Sequence, residues 1–486
     1  MKHHKPTLEW ELYVYSFILY AFLSCLPTLL YGQGANELES APFYLSLKDA
    51  ILEPEKVYKL DLTWQYMLNL PPEVAQFKNL QVLNLGWNKL SILPNQILDL
   101  TQLKKLSLNN NPRLYLDRVL KQLQLLSSLE ELRIGWEEMK MLPGEIIGLQ
   151  NLRSLEIICD PGINLDELMT TVGNLKKLRE LSLQGNRLGQ ISDNIRYLEN
   201  LRRLDISGNK LAELPPRLNR LRELTSLNLR GNNLTNFPEA LTNMRELLEL
   251  DLSNNKLTEI PARVGALENI EQLNLSENSI REVSPRLFNL PHLRMLDLSH
   301  NDLLNLPKDI QALTKLTHLD LSFNALTNLS ENILQLRNLH KLNLSSNPQV
   351  DFLRFFKDVE GFEMLEDLNL SANRLDSLPL AISNMRNLHV LNLAKNRLSY
   401  ISDEFSRLSH LRELDITGNE LRTIPRSIMR MPHLEKLVLD LNRITHIPDE
   451  IITMIALKEI SLRYNPISES EIEKLRHLLP DVHIIR

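Results

Sequence analysis

The sequence predicts an α/β solenoid, a curved stack of about eighteen short coils with a parallel β-sheet on the concave face and short helical or extended returns on the convex face. Three observations predict it. The pattern LxxLxLxxNxLxxLPxxIxxL recurs along the chain, as in LLELDLSNNKLTEIPARVGAL from Leu247 to Leu267. Its Asn-aligned position returns every 23 residues except for three steps of 26. Hydrophobic content of 43% with only 6% aromatic makes aliphatic side chains, mainly Leu, the core material. A single core stops growing near about 250–300 residues. A stack of repeats has no such limit, so 486 residues fit one architecture.

The chain opens with Lys2 and Lys5 and then carries no charge from Leu12 to Asn36. The core LYVYSFILYAFLSCLPTLLYGQ ends in Gly32, Gln33, Gly34 and Ala35, which describes residues 1–33 as a signal peptide with cleavage near Gln33. The apolar part is also close to the length that spans a bilayer, so a retained membrane anchor is the competing reading. FLSC before Cys25 matches a lipid-attachment site poorly, because the apolar run continues beyond it. Residues 34–56 read as an N-terminal cap: YLSLKDAILEPEKV offers a short helix whose Leu45, Leu47 and Ile51 are expected to cover the open edge of the stack.

Residues 57–467 are the repeats. In xLxLx, alternate side chains point to opposite faces of a strand, so Leu250 and Leu252 face inward while Glu249, Asp251 and Ser253 face out. A helix would place the two leucines on different sides of its turn. Prolines at 94, 143, 215, 238, 261, 307, 379, 425 and 448 then fix extended or tight-turn backbone on the outer side. Bulkier returns outside than strands inside bend the stack and leave the sheet concave. The aligned Asn row comprises Asn88, Asn111, Asn186, Asn209, Asn232, Asn255, Asn278, Asn301, Asn324, Asn347, Asn373, Asn396, Asn419, Asn442 and Asn465, with Gln65, Glu137 and Asp160 as exceptions. An amide offers donors and an acceptor together, so this row is read as a structural ladder satisfying buried backbone. In residues 468–486, Ser468 and Glu471 form a capping box, Ile472, Leu475 and Leu479 face inward, Pro480 ends the helix, and VHII (Val482–Ile485) supplies a closing strand.

These motifs resemble the leucine-rich-repeat family, and the LPxxI half resembles the 23-residue subtype of Ras-pathway scaffolds, Scribble-type polarity proteins and many bacterial proteins. The resemblance spans about Val57 to Ile467 and implies a non-catalytic module that recognises a protein through its concave face.

The regularity breaks in places. The long steps after Asn111, Asp160 and Asn347 open with proline, and spacing such as Val119, Leu120, Leu123 and Leu126 predicts true helical returns. Glu137 and Asp160 interrupt the Asn row, and sequences tend to break their own rules at functional or strained places. Repeats three to five are therefore expected to be specialised, with Arg133, Trp136, Glu137, Ile158 and Cys159 on or beside the open face. Trp64, Trp87 and Trp136 all precede the ladder residue, with Phe323 and Tyr464 in the same register. Two readings compete for them: anchors of a protein interface, or seals over the turns of coils with few neighbours. Arg133, Glu137 and these aromatics make up the candidate partner-binding set. The alternation of Asp205, Asp251, Asp297, Asp320 and Asp415 with Asn228, Asn274, Asn343, Asn369 and Asn392 reads first as a solubilising face.

Catalytic signatures are missing from the sequence: no GxxxxGK[ST], GxSxG, HExxH or paired CxxC occurs. Singly scattered histidines such as His292, His318 and His340 do not suggest a metal site, and no cofactor is implied. Cys159 has no nearby His and reads as a semi-exposed structural thiol. A net charge of -6 spread in both signs gives no basic stripe for nucleic acid. With no disulfide possible in a processed chain, the expected setting is secretion or a bacterial cell envelope. The alternative is a membrane-anchored intracellular signalling scaffold of the Ras-pathway type, touching the membrane only through its first residues.

Overall fold

A computed structural model describes Leu38 and residues 41–357 and 362–486. The expectations for residues 1–33 lie outside the described residues. Among the described residues twenty strands form one open, wholly parallel sheet that follows chain order from Phe43–Tyr44 to His483–Ile485. Parallel neighbours need a crossover between them. Each coil supplies one, so every strand pairs with the next.

Register follows the leucines. Leu227, Leu250 and Leu273 align across three successive strands, as do Asn228, Asp251 and Asn274 beside them. Leu250 and Leu252 are buried while Glu249 and Asp251 keep partial contact with solvent, as the alternation requires; Ser253, expected to face out, is fully buried, because the strand ends at Asp251 and the alternation does not extend to it. The inner leucines of all coils merge into one continuous apolar column. Each coil alone would leave that side open to water, so stability comes from stacking.

The convex returns after proline are single five-residue 3₁₀ turns, more ordered than extended backbone, except after Pro425, where Arg426–Met429 forms one short α-helical turn. Asn95–Asp99 follows Pro94, with Ile97 N–H donating to the Pro94 carbonyl at 3.1 Å and the Ile97 side chain wholly buried. Proline fixes φ and cannot itself donate, so the turn starts one residue later and stays short. The longer steps form α-helices at Leu116–Leu123, Leu165–Val172 and Phe352–Phe355. In the first, Leu116, Val119, Leu120 and Leu123 share one buried face at helical spacing.

Both ends differ in detail from expectation. At the N-terminal end Phe43–Tyr44 adds a strand to Lys59–Leu60, and Ser46 caps the helix Leu47–Leu52. Ala50 is its buried residue and Leu47 packs in part against the core, whereas Leu45 and Ile51 are exposed. Leu45 lies before the six-residue helix, and Ile51, next to the buried Ala50, falls off its inward face. At the C-terminal end Ser468 accepts from Glu471 N–H, but the Glu471 carboxylate turns away to accept from Ile447 N–H at 2.7 Å. The capping box is therefore half made, and its second half ties the helix to the last coil. Ile472, Leu475 and Leu479 are buried, and His483–Ile485 closes the sheet.

The Asn side chains hold successive turns together. Asn255 Nδ2 donates to the carbonyls of Leu229 in the preceding coil and of Leu252 and Ser253 in its own, at 3.0–3.1 Å. Its Oδ1 accepts from Leu234 N–H at 3.0 Å. The same four bonds recur at Asn209, Asn301, Asn419 and Asn442. Where Glu137 and Asp160 replace Asn, the coil changes. Strands Glu131–Gly135 and Ser154–Ile158 run for five residues and pair along their whole length, where neighbouring pairs match only three.

Candidate functional site

The residue just before the ladder Asn turns the chain out of the strand with positive φ. Trp64 (59°), Trp87 (57°), Phe323 (51°) and Tyr464 (57°) adopt it, as do Glu277, Lys395 and Gly208 in other coils. This left-handed conformation favours glycine and costs other residues about 1 kcal/mol or more. Since Gly, Glu and Lys all serve, the turn does not dictate an aromatic. The side chains leave the rim of the concave face and meet those of adjacent coils.

Two parallel stacks result. Trp64 and Trp87 lie with ring centroids 4.3 Å apart and planes within 11°. His300 and Phe323 do the same at 4.1 Å and 11°. Tyr464 and Leu441 hold the same position in successive coils, both exposed. His300 and Tyr66 were not singled out from the sequence. The signal for His300 was present as consecutive copies LDLSHN and LDLSFN, which place His300 and Phe323 in the same register. Tyr66 is exposed, with the Lys89 ammonium 5.2 Å from its ring centre. A sealing role requires cover; Trp87 is half-buried, whereas Trp64 is 56% exposed and Phe323 51%.

Trp136 departs from this row. In its coil the positive φ moves back to Gly135 (97°), and the Trp136 side chain packs half-buried against the core. Here the sealing reading describes the geometry. The reason is local: without an amide at 137 to brace the turn, the strand runs on, and its backbone lies so close to Ile158 that a Cβ on Gly135 would sit 1.9 Å from that carbonyl oxygen.

Arg133 and Glu137 remain exposed, each in an ion pair between coils. Arg133 Nε meets Glu156 at 2.8 Å on the next strand, and Glu137 reaches across a whole coil to Arg187 at 3.2 Å. Such exposed pairs contribute roughly 0–1 kcal/mol. Burial pushes the Glu156 carboxyl upward, with the Arg133 charge opposing. Ile158 is half-buried. Cys159 corrects an expectation: it is 2% exposed, and burial with the Asp160 charge beside it pushes its thiol up to about 12. The lengthened strand carries it inward, where it is an inert core residue.

The floor of the concave face is an acid and amide lattice. Asp61, Asp205 and Asp320 accept from the amides of Asn84, Asn228 and Asn343 on the following strands at 2.8–3.1 Å. Each also accepts from the N–H two residues on, so the carboxylates are held in fixed orientation. Asp297 and Asp320 face each other in register, and burial together with the Asp320 charge raises Asp297 to about 6. Among the described residues no group of three or more His, Cys, Asp or Glu could hold a metal ion. The surface is polar along its floor and aromatic at intervals along its rim.

A leucine-rich-repeat region model matches residues 162–275, and a leucine-rich-repeat model matches 55–112, 291–348 and 363–421. No curated protein matches. A leucine-rich-repeat protein of Leptospira interrogans is 31% identical, with 92% of this chain and 100% of that one covered and a TM-score of 0.63. The plant peptide hormone receptor RGFR1, solved in complex with RGF2, is 26% identical over 89% of this chain and 78% of its own, at TM-score 0.55. TLR13, solved with a single-stranded RNA, shares the fold at 19% identity and TM-score 0.66 over 88% of this chain and 68% of its own. The repeat frame, the sheet built from it and these likenesses agree, and the chain belongs to the leucine-rich-repeat family.

Proposed function

We propose that this chain is a non-catalytic recognition protein that binds a partner protein along its concave face, anchored on the Trp64–Trp87 stack. One observation carries the reading: the exposed Trp64 indole stands stacked on a half-buried Trp87 at a turn that accepts glycine or lysine elsewhere in the array. Exposed aromatics on a preformed surface are typical interface anchors, and a rigid face limits the ordering cost of association. The plant receptor relative, solved with RGF2, supports the same use of the fold. The repeats have the 23-residue LPxxI form, and the face they build is acid- and amide-rich, which favours a protein with basic or polar groups over nucleic acid. Export to the cell envelope or beyond fits the apolar leader.

The test replaces Trp64 and Trp87 with Ala and measures capture of a partner from an extract, followed by titration of that partner once identified. The double variant should unfold at nearly the parent temperature and lose at least tenfold in affinity. Unchanged affinity, or a fall of several kilocalories in stability, removes the proposal.

The second reading is a membrane-anchored intracellular scaffold, motivated by the uncharged run from Leu12 to Asn36. Among the described residues no helix is long and apolar enough to cross a membrane, and the run lies outside them. Sequencing the mature N-terminus separates the two: a start near residue 34 excludes the anchor.

A further inference from the structure

We propose that the convex side carries an anion-binding cleft for a phosphate group, formed between the consecutive turns Pro216–Arg220 and Glu239–Asn243. The cleft has a volume of about 470 Å³, and Arg220, Arg222, Arg245, Asn219 and Asn243 contribute to its walls over a floor that includes buried Met244. Arg222 and Arg245 occupy the same place in successive coils and line the same cleft, so it carries two like charges from adjacent repeats. Elsewhere on this flank cations are matched by carboxylates of adjacent coils, as in Arg153 with Glu130, Arg202 with Glu223, Arg294 with Glu271 and Lys458 with Glu435. Among the described residues no ion pair within 4 Å involves Arg220, Arg222 or Arg245. Glu223 is engaged by Arg202, which leaves Glu246 as the one carboxylate lining the cleft.

Three guanidinium groups offer forked donors suited to the tetrahedral oxygens of phosphate, and two amides add neutral donors. Like charges at one coil spacing repel, and an oxyanion between them relieves that repulsion. The phosphate can belong to a lipid headgroup or to a soluble molecule. The cleft is lined by residues at and just after the ends of the outer turns and by none of the strand residues of the concave face.

The experiment titrates the full chain at low ionic strength with inorganic pyrophosphate by calorimetry and, separately, with vesicles containing phosphatidylglycerol by sedimentation. It compares the parent with Arg222→Ala/Arg245→Ala and with Arg294→Ala, whose side chain pairs with Glu271. The double variant should bind at least tenfold more weakly to one or both probes, with Arg294→Ala unchanged and circular dichroism identical in all three. Loss on vesicles alone assigns a lipid headgroup; loss on pyrophosphate alone or on both assigns the phosphate group itself. Parent and double variant binding equally, or the parent binding neither probe, overturns the proposal.

Discussion

Replacing Asn255 separates a structural ladder from decoration. The Asn255 amide makes four bonds, but they are not equal. The Leu229 carbonyl also accepts from Asn232, the Leu252 carbonyl from Asn278 and the Ser253 carbonyl from Gly231 N–H. Each keeps a partner when Asn255 becomes Ala. Leu234 N–H, whose bond goes to Asn255 Oδ1, does not. One orphaned buried donor costs about 1–3 kcal/mol, and three weakened acceptors add a few tenths each, so Asn255→Ala should cost about 2–3 kcal/mol. Asn255→Asp restores the acceptor for Leu234 N–H yet turns its second oxygen toward three carbonyl oxygens at the 3.0–3.1 Å now spanned by donated bonds. At neutral pH it should therefore be worse than Ala, and it should recover as pH falls and the carboxyl becomes a donor. Urea midpoints give the ranking, and hydrogen exchange at Leu234 reads the local opening that a repeat array can show without global unfolding. Glu137→Ala is the contrast, expected within about 1 kcal/mol of parent because its pair with Arg187 is on the surface. A loss below about 0.5 kcal/mol for Asn255→Ala, or Asp milder than Ala at pH 7, would refute the reasoning.

Gly135→Ala should destabilise by more than about 3 kcal/mol in a urea melt, since the new methyl collides with the Ile158 carbonyl and φ is 97°; Gly144→Ala, with nothing within 4 Å, should be close to neutral. Asp297 is raised from 3.8 to about 6 in the fold, so the folded state holds its proton more tightly and stability falls as pH rises from near 4 to near 6. Discounted for its partial contact with water, the loss is about 1–2 kcal/mol, and Asp297→Asn should narrow the parent's difference in melting temperature between pH 5 and pH 7.5; an unchanged difference would exclude this carboxyl as the cause.

The period of the leucines made the strands, their register and the inward face legible, because spacing alone decides which side chains share a side. The turns were less legible. LNLGW and LRIGW look alike, yet Trp87 takes the left-handed conformation in one and Gly135 takes it in the other. The difference lies beyond the motif, in whether residue 88 or 137 brings an amide to hold the turn. Where Glu137 and Asp160 stand in place of Asn, two strands are longer, Trp136 packs on the core and Cys159 is buried. Stacking partners were equally hidden, since Trp64 and Trp87 or His300 and Phe323 meet only after coils 23 residues apart come side by side.

Hydrogen exchange of the chain alone and saturated with its captured partner tests recognition by the concave face most directly. Protection should appear at the strand ends and rim turns around 61–67 and 84–89, with the convex turns Pro216–Arg220 and Asp449–Thr453 unchanged. Protection confined to the convex turns, with the tryptophan rim exchanging as in the free chain, would contradict it.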